Sequence, residues 1–332
     1  MTVKVTILGL GQIGSSIGLA LAPKKEKITR VGHDTDSDTT RAAKKKDVVD
    51  DVQVNLHSAV EGADLVILSV PLHEVRDTLN IISADLKEGA VVLDTSPARR
   101  QGEALARELL PAGRYYVGLV PAIQSGHLLE TGGGLEGAHA DLFQGANCLV
   151  CSMPGLPENA VRLATDLVKL LGANPILCDS AEADGLLAGM ITLPKILAVS
   201  LVDVTMGKPG WADAKELAGP PYAMPVAAVF DREIGETLGE AALANRDNLV
   251  RLLDGYLESL RALRDHIQNE EREKLDQKIH NAQDSAFQWL AERHLEKYSP
   301  PGGSGSSKDP NNPTFGDRLK QSFLGGLANP KN

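Results

Sequence analysis

Residues 3–14 read Val-Lys-Val-Thr-Ile-Leu-Gly-Leu-Gly-Gln-Ile-Gly, an apolar run that passes directly into three spaced glycines. The alternating apolar residues predict a β-strand, and Ser15 to Leu21 predict the helix that follows it. In this order the first glycine allows a tight turn, the second admits a pyrophosphate, and the third lets helix and strand pack closely. The free N–H groups at the helix N-terminus then face the phosphates. The stretch predicts a dinucleotide-binding fold whose cofactor contacts are Gly9, Gly11, Gln12, Ile13 and Gly14.

An acidic residue indicates which dinucleotide binds. The run Ile28–His33 ends at Asp34, twenty residues after Gly14. A carboxylate at the end of the second strand accepts hydrogen bonds from the adenosine ribose hydroxyls and repels a 2′-phosphate. The nearest downstream cation is Arg41, after two further aspartates. This pattern favours NAD over NADP, and the alternative is that Asp34 only caps the next helix.

Length and composition limit the class of protein. The chain has 332 residues, enough for two domains, and a formal net charge of −10. That charge argues against nucleic acid or an anionic membrane as the main partner. Cys148 and Cys151 have metal-like spacing without a second pair, so we expect buried, reduced thiols and no metal site. The first residues lead into a strand and not into a signal peptide, so we expect a cytoplasmic protein.

The chain changes character near residue 180. Before it, short apolar runs alternate with helical stretches, which predicts an α/β Rossmann-type doubly wound sheet over residues 1–180. An all-α domain for substrate binding and dimerisation follows over 181–298, and then a flexible linker and short tail over 299–332. The predicted strands are Val3–Leu8, Thr29–Gly32, Leu65–Ser69, Val91–Asp94, Tyr116–Val120, Cys148–Cys151 and Pro175–Cys178. The predicted helices include Leu72–Ile82, Arg99–Leu110 and Pro157–Leu171, and Gln124–Gly137 is predicted to be a loop near the active site.

Apolar side chains dominate the helical part. Between Leu249 and Ile267 they recur every three or four residues, and such a face needs a partner. We expect it to form a homodimer by pairing helical domains. The long apolar stretch Gly185–Val202 carries Lys195 at its centre, so we expect a buried helix between domains and no membrane span. Phe315–Leu327, after the linker, has the spacing of a short amphipathic helix that could dock on the body or on the partner.

The order of motifs resembles the prephenate/arogenate dehydrogenase family. The matching pieces are Gly9–Gly14, Val66–Pro71, Val92–Ser96, Asp141–Gly145, Leu171–Ala173, Leu193-Pro194 with Ala198, and Leu243–Asp247. The resemblance implies an NAD-dependent oxidoreductase that acts on a small carboxylated substrate, with a place in tyrosine biosynthesis. It also implies further cofactor contacts at Ser69, Val70, Pro71 and Thr95, and substrate contacts at Ser96, Arg99 and Arg232.

The chain departs from the family at the positions that carry chemistry. The family's catalytic histidine lies in a Gly-His-Pro-Met-Ala-Gly run, and here Val120 stands in its place. The family's Ser-His-Leu-Pro-His run becomes residues 191–195 with both histidines lost, and a His-Asp pair becomes Ala183-Asp184. The Thr-Arg that grips the substrate carboxylate has no clear counterpart, and Arg232 is the nearest cation.

Hydride abstraction from an alcohol needs a group that takes the hydroxyl proton, which valine cannot do. Lys195 is the best replacement, with Asp184 beside it, since eleven residues at about 100° each return to nearly the same helix face. Weaker candidates are His73, His127 and His139. Arg99 and Arg100 are the expected partners of a substrate carboxylate. Two alternatives remain: a dehydrogenase or reductase of another hydroxy acid or imine, and a catalytically silent dinucleotide-binding protein.

Overall fold

The computed structural model describes residues 2–130, 132–230 and 234–295. Arg232 and the 299–332 tail, including the predicted helix Phe315–Leu327, lie outside the described residues. The predictions made for them therefore stay predictions.

Eight strands form one sheet, which confirms the predicted α/β architecture. They are β1 Val3–Leu8, β2 Ile28–His33, β3 Asp51–Val52, β4 Leu65–Leu68, β5 Val91–Asp94, β6 Tyr115–Pro121, β7 Asn147–Ser152 and β8 Asn174–Cys178. Their spatial order is β3-β2-β1-β4-β5-β6-β7-β8. All neighbours are parallel except β6 and β7, which are antiparallel. Seven strands match the predicted runs, and β3 was not predicted because it has only two residues.

Helices cover both faces of this sheet. They are α1 Gln12–Leu21, α2 Ser37–Lys45, α3 Leu56–Val60, α4 Val75–Ile82, α5 Arg99–Leu109 and α6 Glu158–Leu170. Side chains that alternate along each strand enter two separate apolar clusters, one on each face. Ile7 and Ile67 belong to one cluster, whereas Leu8 and Leu68 belong to the other. Burial on both faces explains why the strands are continuous apolar runs.

The chain after β8 is helical, as predicted. Its helices are α7 Ser180–Leu187, α8 Leu193–Thr205, α9 Trp211–Ala214, α10 Pro220–Val226, α11 Ile234–Ala244, α12 Arg246–Gln268 and α13 Arg272–Leu295. A π-helical turn, Ala188–Thr192, joins α7 to α8 without a break. The wide turn explains how Pro194 is accommodated, because proline lacks the N–H that an α-helix needs and crowds the carbonyl four residues earlier.

The continuous helix Ser180–Thr205 is more exposed than the sequence indicates. By length and composition alone it could cross a membrane, and only 22% of its most apolar window is buried. Leu186, Met190 and Val204 are all exposed. The prediction of a buried helix between domains is therefore wrong for the single chain, because no described element covers this face.

The chain divides into two compact units at a place different from the predicted boundary. Among the described residues, one unit lies within Met1–Ile123 and Leu129–Gly255, and the other comprises Gln124–Leu128 and residues 256–295. Helices α7 to α11 thus belong to the same unit as the sheet. The reason is packing between distant parts of the chain: α7 packs on α5, and α11 packs on the turn Leu72–Glu74 that follows β4. The predicted loop Gln124–Gly137 contains two short 3-10 turns, Ser125–His127 and Gly134–Gly137.

Candidate functional site

The site begins where the strand order reverses. β1 lies between β2 and β4, so the connections from β1 to β2 and from β3 to β4 leave on opposite sides of the sheet. In doubly wound sheets ligands bind in the crevice at the carboxyl ends of the strands around such a point. The segments that follow β1, β2, β4 and β5 carry Gly9, Asp34, Ser69 and Thr95, so this edge collects the predicted cofactor residues.

Steric limits require glycine at two of the three positions of the glycine loop. Gly9 has φ +89°, and a Cβ there would overlap the carbonyl oxygen of Ser69. A Cβ on Gly14 would overlap the carbonyl oxygen of Gly9. Gly11 is different, since a Cβ there would meet nothing within 4 Å. Two glycines are thus required by the fold, and the third faces open space at the N-terminus of α1.

Asp34 is held by the backbone of two segments. One carboxylate oxygen accepts the Leu10 N–H at 2.8 Å and the other accepts the Asp36 N–H at 2.9 Å. The N-cap of α2 is Asp36, whose carboxylate accepts from Asp38 and Thr39. The alternative that Asp34 is the helix cap is therefore wrong. Its carboxylate lies half-buried beside the glycine loop, where a ribose would bring its hydroxyls.

Other predicted cofactor residues lie at the same edge. Ile13, Ser69, Val70 and Pro71 are all partly exposed there. The Thr95 hydroxyl donates to the Leu68 carbonyl at 3.2 Å, which fixes its side chain between β4 and β5. The Gln12 amide donates to the Gly137 carbonyl at 2.9 Å. Gln12 thus fastens the glycine segment near residue 137 to the first turn of α1, a role that the sequence did not indicate.

Arg99 points into the protein and away from a ligand. Its guanidinium has no exposed surface, and it donates to the Asp94 backbone carbonyl at 2.5 Å and to the Ser96 hydroxyl at 2.8 Å. The Asp94 carboxylate also accepts from the Tyr116 and Ser96 hydroxyls, at 2.5 and 2.9 Å. The prediction that Arg99 and Ser96 meet a substrate carboxylate has no support in these positions, because both side chains are buried inside the fold.

This buried polar cluster was missed in the sequence. Burial raises the pKa of Tyr116 well above its ordinary value, and the neighbouring Asp94 charge adds to the shift. A Cβ on Gly102 would overlap the Tyr116 hydroxyl, and a Cβ on Gly118 would lie 2.6 Å from the Arg99 guanidinium. Two glycines inside regular elements were the available signal, since such glycines mark a close approach of another group.

Asp184 joins α7 to the start of α5. It is 1% exposed, and its Oδ1 accepts the Arg99 N–H at 2.7 Å. Its Oδ2 accepts the Arg100 N–H at 3.2 Å and the Arg100 Nε–H at 3.1 Å. The N-cap residue of α5 is Ala98, which has no side chain to do this. Asp184 thus caps α5 from a distant part of the chain, and this geometry gives it a structural role in place of the predicted catalytic one.

Lys195 does not share a face with Asp184. The π-helical turn between them places an extra residue in the helix, which rotates the following residues by about 100°. Lys195 is half-buried and has no ion pair among the described residues. The Asp184 carboxylate instead accepts hydrogen bonds from Arg99 and Arg100 at the start of α5. The predicted pairing is therefore wrong, because it assumed an unbroken α-helix. The Lys195 ammonium nevertheless remains uncommitted within the described chain.

The remaining candidates have clear positions. Val120 is half-buried near the end of β6, opposite Leu149 of β7. His73 Nε2 lies 3.2 Å from a Glu236 carboxylate oxygen, so this histidine joins the turn after β4 to α11. His139 Nε2 lies 2.8 Å from Glu130, and its backbone N–H donates to Ser16.

The three cysteines are free, as predicted. Burial raises the pKa of the Cys148 thiol to about 12 and that of Cys151 to about 11. Burial also raises the pKa of Cys178 to about 12. Thiols with such pKa values hold almost no thiolate near neutral pH and are poor nucleophiles. No catalytic cysteine is indicated among the described residues.

Comparisons with known proteins place the chain among dehydrogenases. A family model described as the nucleotide-binding domain of prephenate dehydrogenase matches residues 17–177. Prephenate dehydrogenase of Lactococcus lactis is 29% identical over 201 residues, which are 60% of this chain and 53% of that enzyme. The chain thus aligns with about half the length of that relative. Prephenate dehydrogenase of Bacillus subtilis is 24% identical over 293 residues, covering 84% of this chain and 74% of that enzyme.

Solved structures share the fold. Prephenate dehydrogenase from Aquifex aeolicus, in complex with hydroxyphenyl propionate and NAD+, has a TM-score of 0.74 at 20% identity. That match covers 87% of this chain and 98% of the other. Arogenate dehydrogenase from Synechocystis has a TM-score of 0.65 at 20% identity, covering 86% and 99%.

Proposed function

Because the chain belongs to the prephenate/arogenate dehydrogenase family, we propose that it oxidises a small carboxylated substrate by hydride transfer to NAD. The observation that carries this proposal is the glycine loop, in which Gly9 and Gly14 are sterically required and Gly11 leaves room for a ligand. An oxidation also needs a proton acceptor, and the chain's candidate is Lys195.

The residues at the loop fit NAD. The family's nucleotide-binding domain and the NAD+ of the Aquifex enzyme support this cofactor. Gly11 and the N-terminus of α1 would face the pyrophosphate, and Asp34 would accept from the ribose hydroxyls. Bound NAD would supply the hydride acceptor at its nicotinamide ring. Asp34 repels a 2′-phosphate, so NADP should bind less well.

Lys195 supplies the proton acceptor in this proposal. Val120, in place of the family's catalytic histidine, has no titratable group. Thr192 and Lys195 occupy the two histidine positions of the family's Ser-His-Leu-Pro-His run, and Thr192 is buried. Lys195 is half-buried and has no ion pair within the described chain, so part of its side chain packs while its amino group stays available to a ligand. Lysine serves as a general base when its environment favours the neutral amine. The substrate that we propose is therefore a carboxylated alcohol other than prephenate, which gives its hydride to NAD and its hydroxyl proton to Lys195. A place in tyrosine biosynthesis depends on whether prephenate or arogenate is accepted.

A second candidate function is a catalytically silent protein that binds NAD. Val120 in the place of the family histidine is the observation that favours it. The two candidates differ in turnover and agree on cofactor binding. Steady-state formation of NADH with prephenate, arogenate and a panel of hydroxy acids therefore separates them.

The expected result is little or no turnover of prephenate by the unmodified chain and measurable NADH formation with another carboxylated substrate. The variant Val120→His tests whether the missing histidine is the reason for the low turnover of prephenate, since it returns an imidazole to the end of β6. An increase in prephenate oxidation by this variant supports the argument. Rapid prephenate turnover by the unmodified chain contradicts the proposed change of substrate.

A homodimer is the assembly that we propose. Met190 is 76% exposed on the apolar helix Ser180–Thr205, and Val250 and Ile267 are exposed on α12. Exposed apolar side chains that lie on one helix after another mark an interaction surface. A second copy suits them because the same helices then cover each other. Sedimentation at micromolar concentration should give a dimer, and recovery of the chain in a membrane or detergent fraction would contradict this proposal.

We further propose a cytoplasmic location and a small molecule as the only other partner. Three free thiols suit a reducing compartment. The net charge of −10 disfavours nucleic acid. Fractionation of cells that produce the full chain tests the location.

A further inference from the structure

A second glycine-rich segment lies against the N-terminus of α1. Residues 132–137 read Gly-Gly-Gly-Leu-Glu-Gly and end in the 3-10 turn Gly134–Gly137, and these six residues are the second glycine segment. The Gln12 side-chain amide donates to the Gly137 carbonyl at 2.9 Å. Gln12 is the first residue of α1 and directly follows Gly11. This hydrogen bond therefore places the second glycine segment beside the helix N-terminus, where the cofactor site begins.

Two further contacts hold the second glycine segment in this position. The backbone N–H of His139 donates to the Ser16 hydroxyl at 3.0 Å. Ser16 is buried and lies four residues after Gln12, so both residues lie on one face of α1. The Glu136 carboxylate pairs with the Lys46 ammonium at 2.8 Å, which offsets the only formal charge in the second glycine segment.

The fold requires glycine at some positions of this segment and not at others. A Cβ on Gly137 would lie 2.5 Å from the Gly132 carbonyl oxygen, and Gly134 has φ +62°. Gly133 is different, because its φ of −118° and ψ of −176° are open to any residue and a Cβ there would meet nothing within 4 Å. Its N–H donates to no backbone group of the described chain. Gly133 thus resembles Gly11, since its backbone faces open space and the fold does not require a glycine there.

We propose that the second glycine segment is part of the cofactor site, with the backbone of Gly133 contacting the phosphate groups of a dinucleotide and Gln12 positioning the segment. The inference rests on the proposed NAD site. Backbone N–H groups bind phosphate oxygens, and glycine lets a phosphate approach the main chain because it has no side chain. Gln12 acts through the Gly137 carbonyl. A segment that is held in place less often offers the complete site less often, and the apparent affinity falls by that fraction.

The substitution Gly133→Ala tests the proposed contact. Its methyl group meets no protein atom, so the variant should have the same free energy of unfolding in urea as the unmodified chain. The dissociation constant of NADH, measured by fluorescence, should rise about fivefold, which is the effect of one lost hydrogen bond. Gly239→Ala is the matched control, because it adds the same methyl group to an exposed position of α11 where nothing lies within 4 Å. A normal affinity for NADH in Gly133→Ala overturns the proposed contact.

The substitution Gln12→Met tests the positioning of the segment. Methionine keeps the length of the side chain but cannot donate to the Gly137 carbonyl, so NADH should again bind about fivefold more weakly. Hydrogen exchange of residues 132–137, measured by mass spectrometry, is the second readout. Saturating NAD should slow this exchange in the unmodified chain and should slow it less in Gln12→Met. A role in folding alone would leave the exchange of these residues insensitive to NAD.

The outcomes separate this inference from the proposed function. If the unmodified chain does not bind NADH, the proposed function fails and this inference fails with it. If NADH binds but hydrogen exchange of residues 132–137 does not change, the second glycine segment is not part of the cofactor site. A normal NADH affinity in Gln12→Met likewise overturns the positioning role and leaves the proposed function standing.

Discussion

The glycine loop and the two positions Val120 and Lys195, where the family carries histidines, are constrained in different ways. In the loop, backbone geometry determines the residues: Gly9 and Gly14 have no space for a side chain, and Asp34 is held by two N–H groups. Val120 lies near the end of the regular strand β6 and Lys195 lies in the regular helix α8, so neither position requires one particular residue of the backbone. The first region matches the family, and the second departs from it while the fold stays intact.

Under the proposed function, this difference separates the requirements of cofactor binding from those of proton transfer. Cofactor binding depends on main-chain positions that cannot vary without a clash. Proton transfer depends on a single side chain, which can be replaced without disturbing the sheet. The comparison predicts that substitutions in the glycine loop affect folding or NAD binding, whereas substitutions at Val120 or Lys195 affect turnover.

The largest effect is expected for Gly9→Ala. The new methyl group would overlap the Ser69 carbonyl, and the residue would have to keep φ +89°. Strain and overlap together should lower the free energy of unfolding by more than about 3 kcal/mol. Urea denaturation followed by circular dichroism measures this change.

Gly11→Ala is the matched control for that substitution. Its added Cβ meets no atom of the protein, so the variant should unfold like the unmodified chain. It should nevertheless bind NAD more weakly, because the methyl group occupies the space left for the pyrophosphate. Normal NAD affinity in Gly11→Ala would show that the open space is not the cofactor site.

The next effect concerns turnover. Lys195→Ala should lower the rate of any NAD-linked oxidation about a hundredfold, the loss typical for a missing general base. The dissociation constant for NAD should hardly change, because Lys195 is assigned to the substrate. Single-turnover kinetics and a fluorescence titration with NADH measure the two quantities. Unchanged turnover in this variant would remove Lys195 from the proposed mechanism.

Much of the fold could be predicted because the sheet is buried on both faces. The continuous apolar runs Leu65–Leu68 and 91–93 identify strands directly. The two-residue β3 has no such signal. The glycine spacing and Asp34 locate the cofactor edge because these positions are set by local chain geometry.

The rest of the site depends on long-range contacts that no local pattern indicates. Arg99 and Arg100 are adjacent in sequence, yet one is buried by Asp94 and the other is held at the surface by Asp184. The π-helical turn before Pro194 adds one residue to the helix. Lys195 therefore lies on a different face from the one that regular α-helical spacing predicts. Helices α7 and α11 pack on elements of the nucleotide-binding half, and the change of composition near residue 180 does not indicate these contacts.

Asp184→Ala tests the structural role of that carboxylate. The variant leaves the Arg99 and Arg100 N–H groups without their cap, and loss of a helix cap costs about 1–2 kcal/mol. Asp184→Asn keeps one acceptor oxygen and should lose less. Asp213→Ala, on the exposed helix α9, is the control. If Asp184→Asn kept full stability and lost turnover a hundredfold, the aspartate would instead be catalytic.

Asp34→Ser should change the choice between cofactors. The serine removes a negative charge that repels the 2′-phosphate of NADP, so the preference for NAD should fall about tenfold. Dissociation constants for NADH and NADPH, measured by fluorescence in both proteins, give the ratio. Asp36→Ser serves as the control, since Asp36 caps α2 and should affect stability rather than cofactor choice. Equal affinity for both cofactors in the unmodified chain would contradict the role of Asp34.

The smallest effect is a dependence of stability on acid in the half that carries the glycine loop. The buried Arg30 guanidinium donates to Asp50 at 2.6 Å and to the Gly18 carbonyl of α1 at 2.9 Å. The hydrogen bond from Arg30 lowers the pKa of Asp50 below its ordinary value. A lowered pKa in the folded state means that the stabilisation is complete above the unfolded pKa of about 3.9 and is lost as the pH falls through the folded pKa.

Asp50→Asn should therefore cost about 1 kcal/mol at pH 7, and the difference in the free energy of unfolding from the unmodified chain should shrink below about pH 4. Asp38→Asn removes an exposed ion pair with Arg41 and should show no such pH-dependent difference. Urea denaturation of the three proteins across this pH range decides the matter, and a constant difference for Asp50→Asn at every pH would mean that its charge does not stabilise the fold.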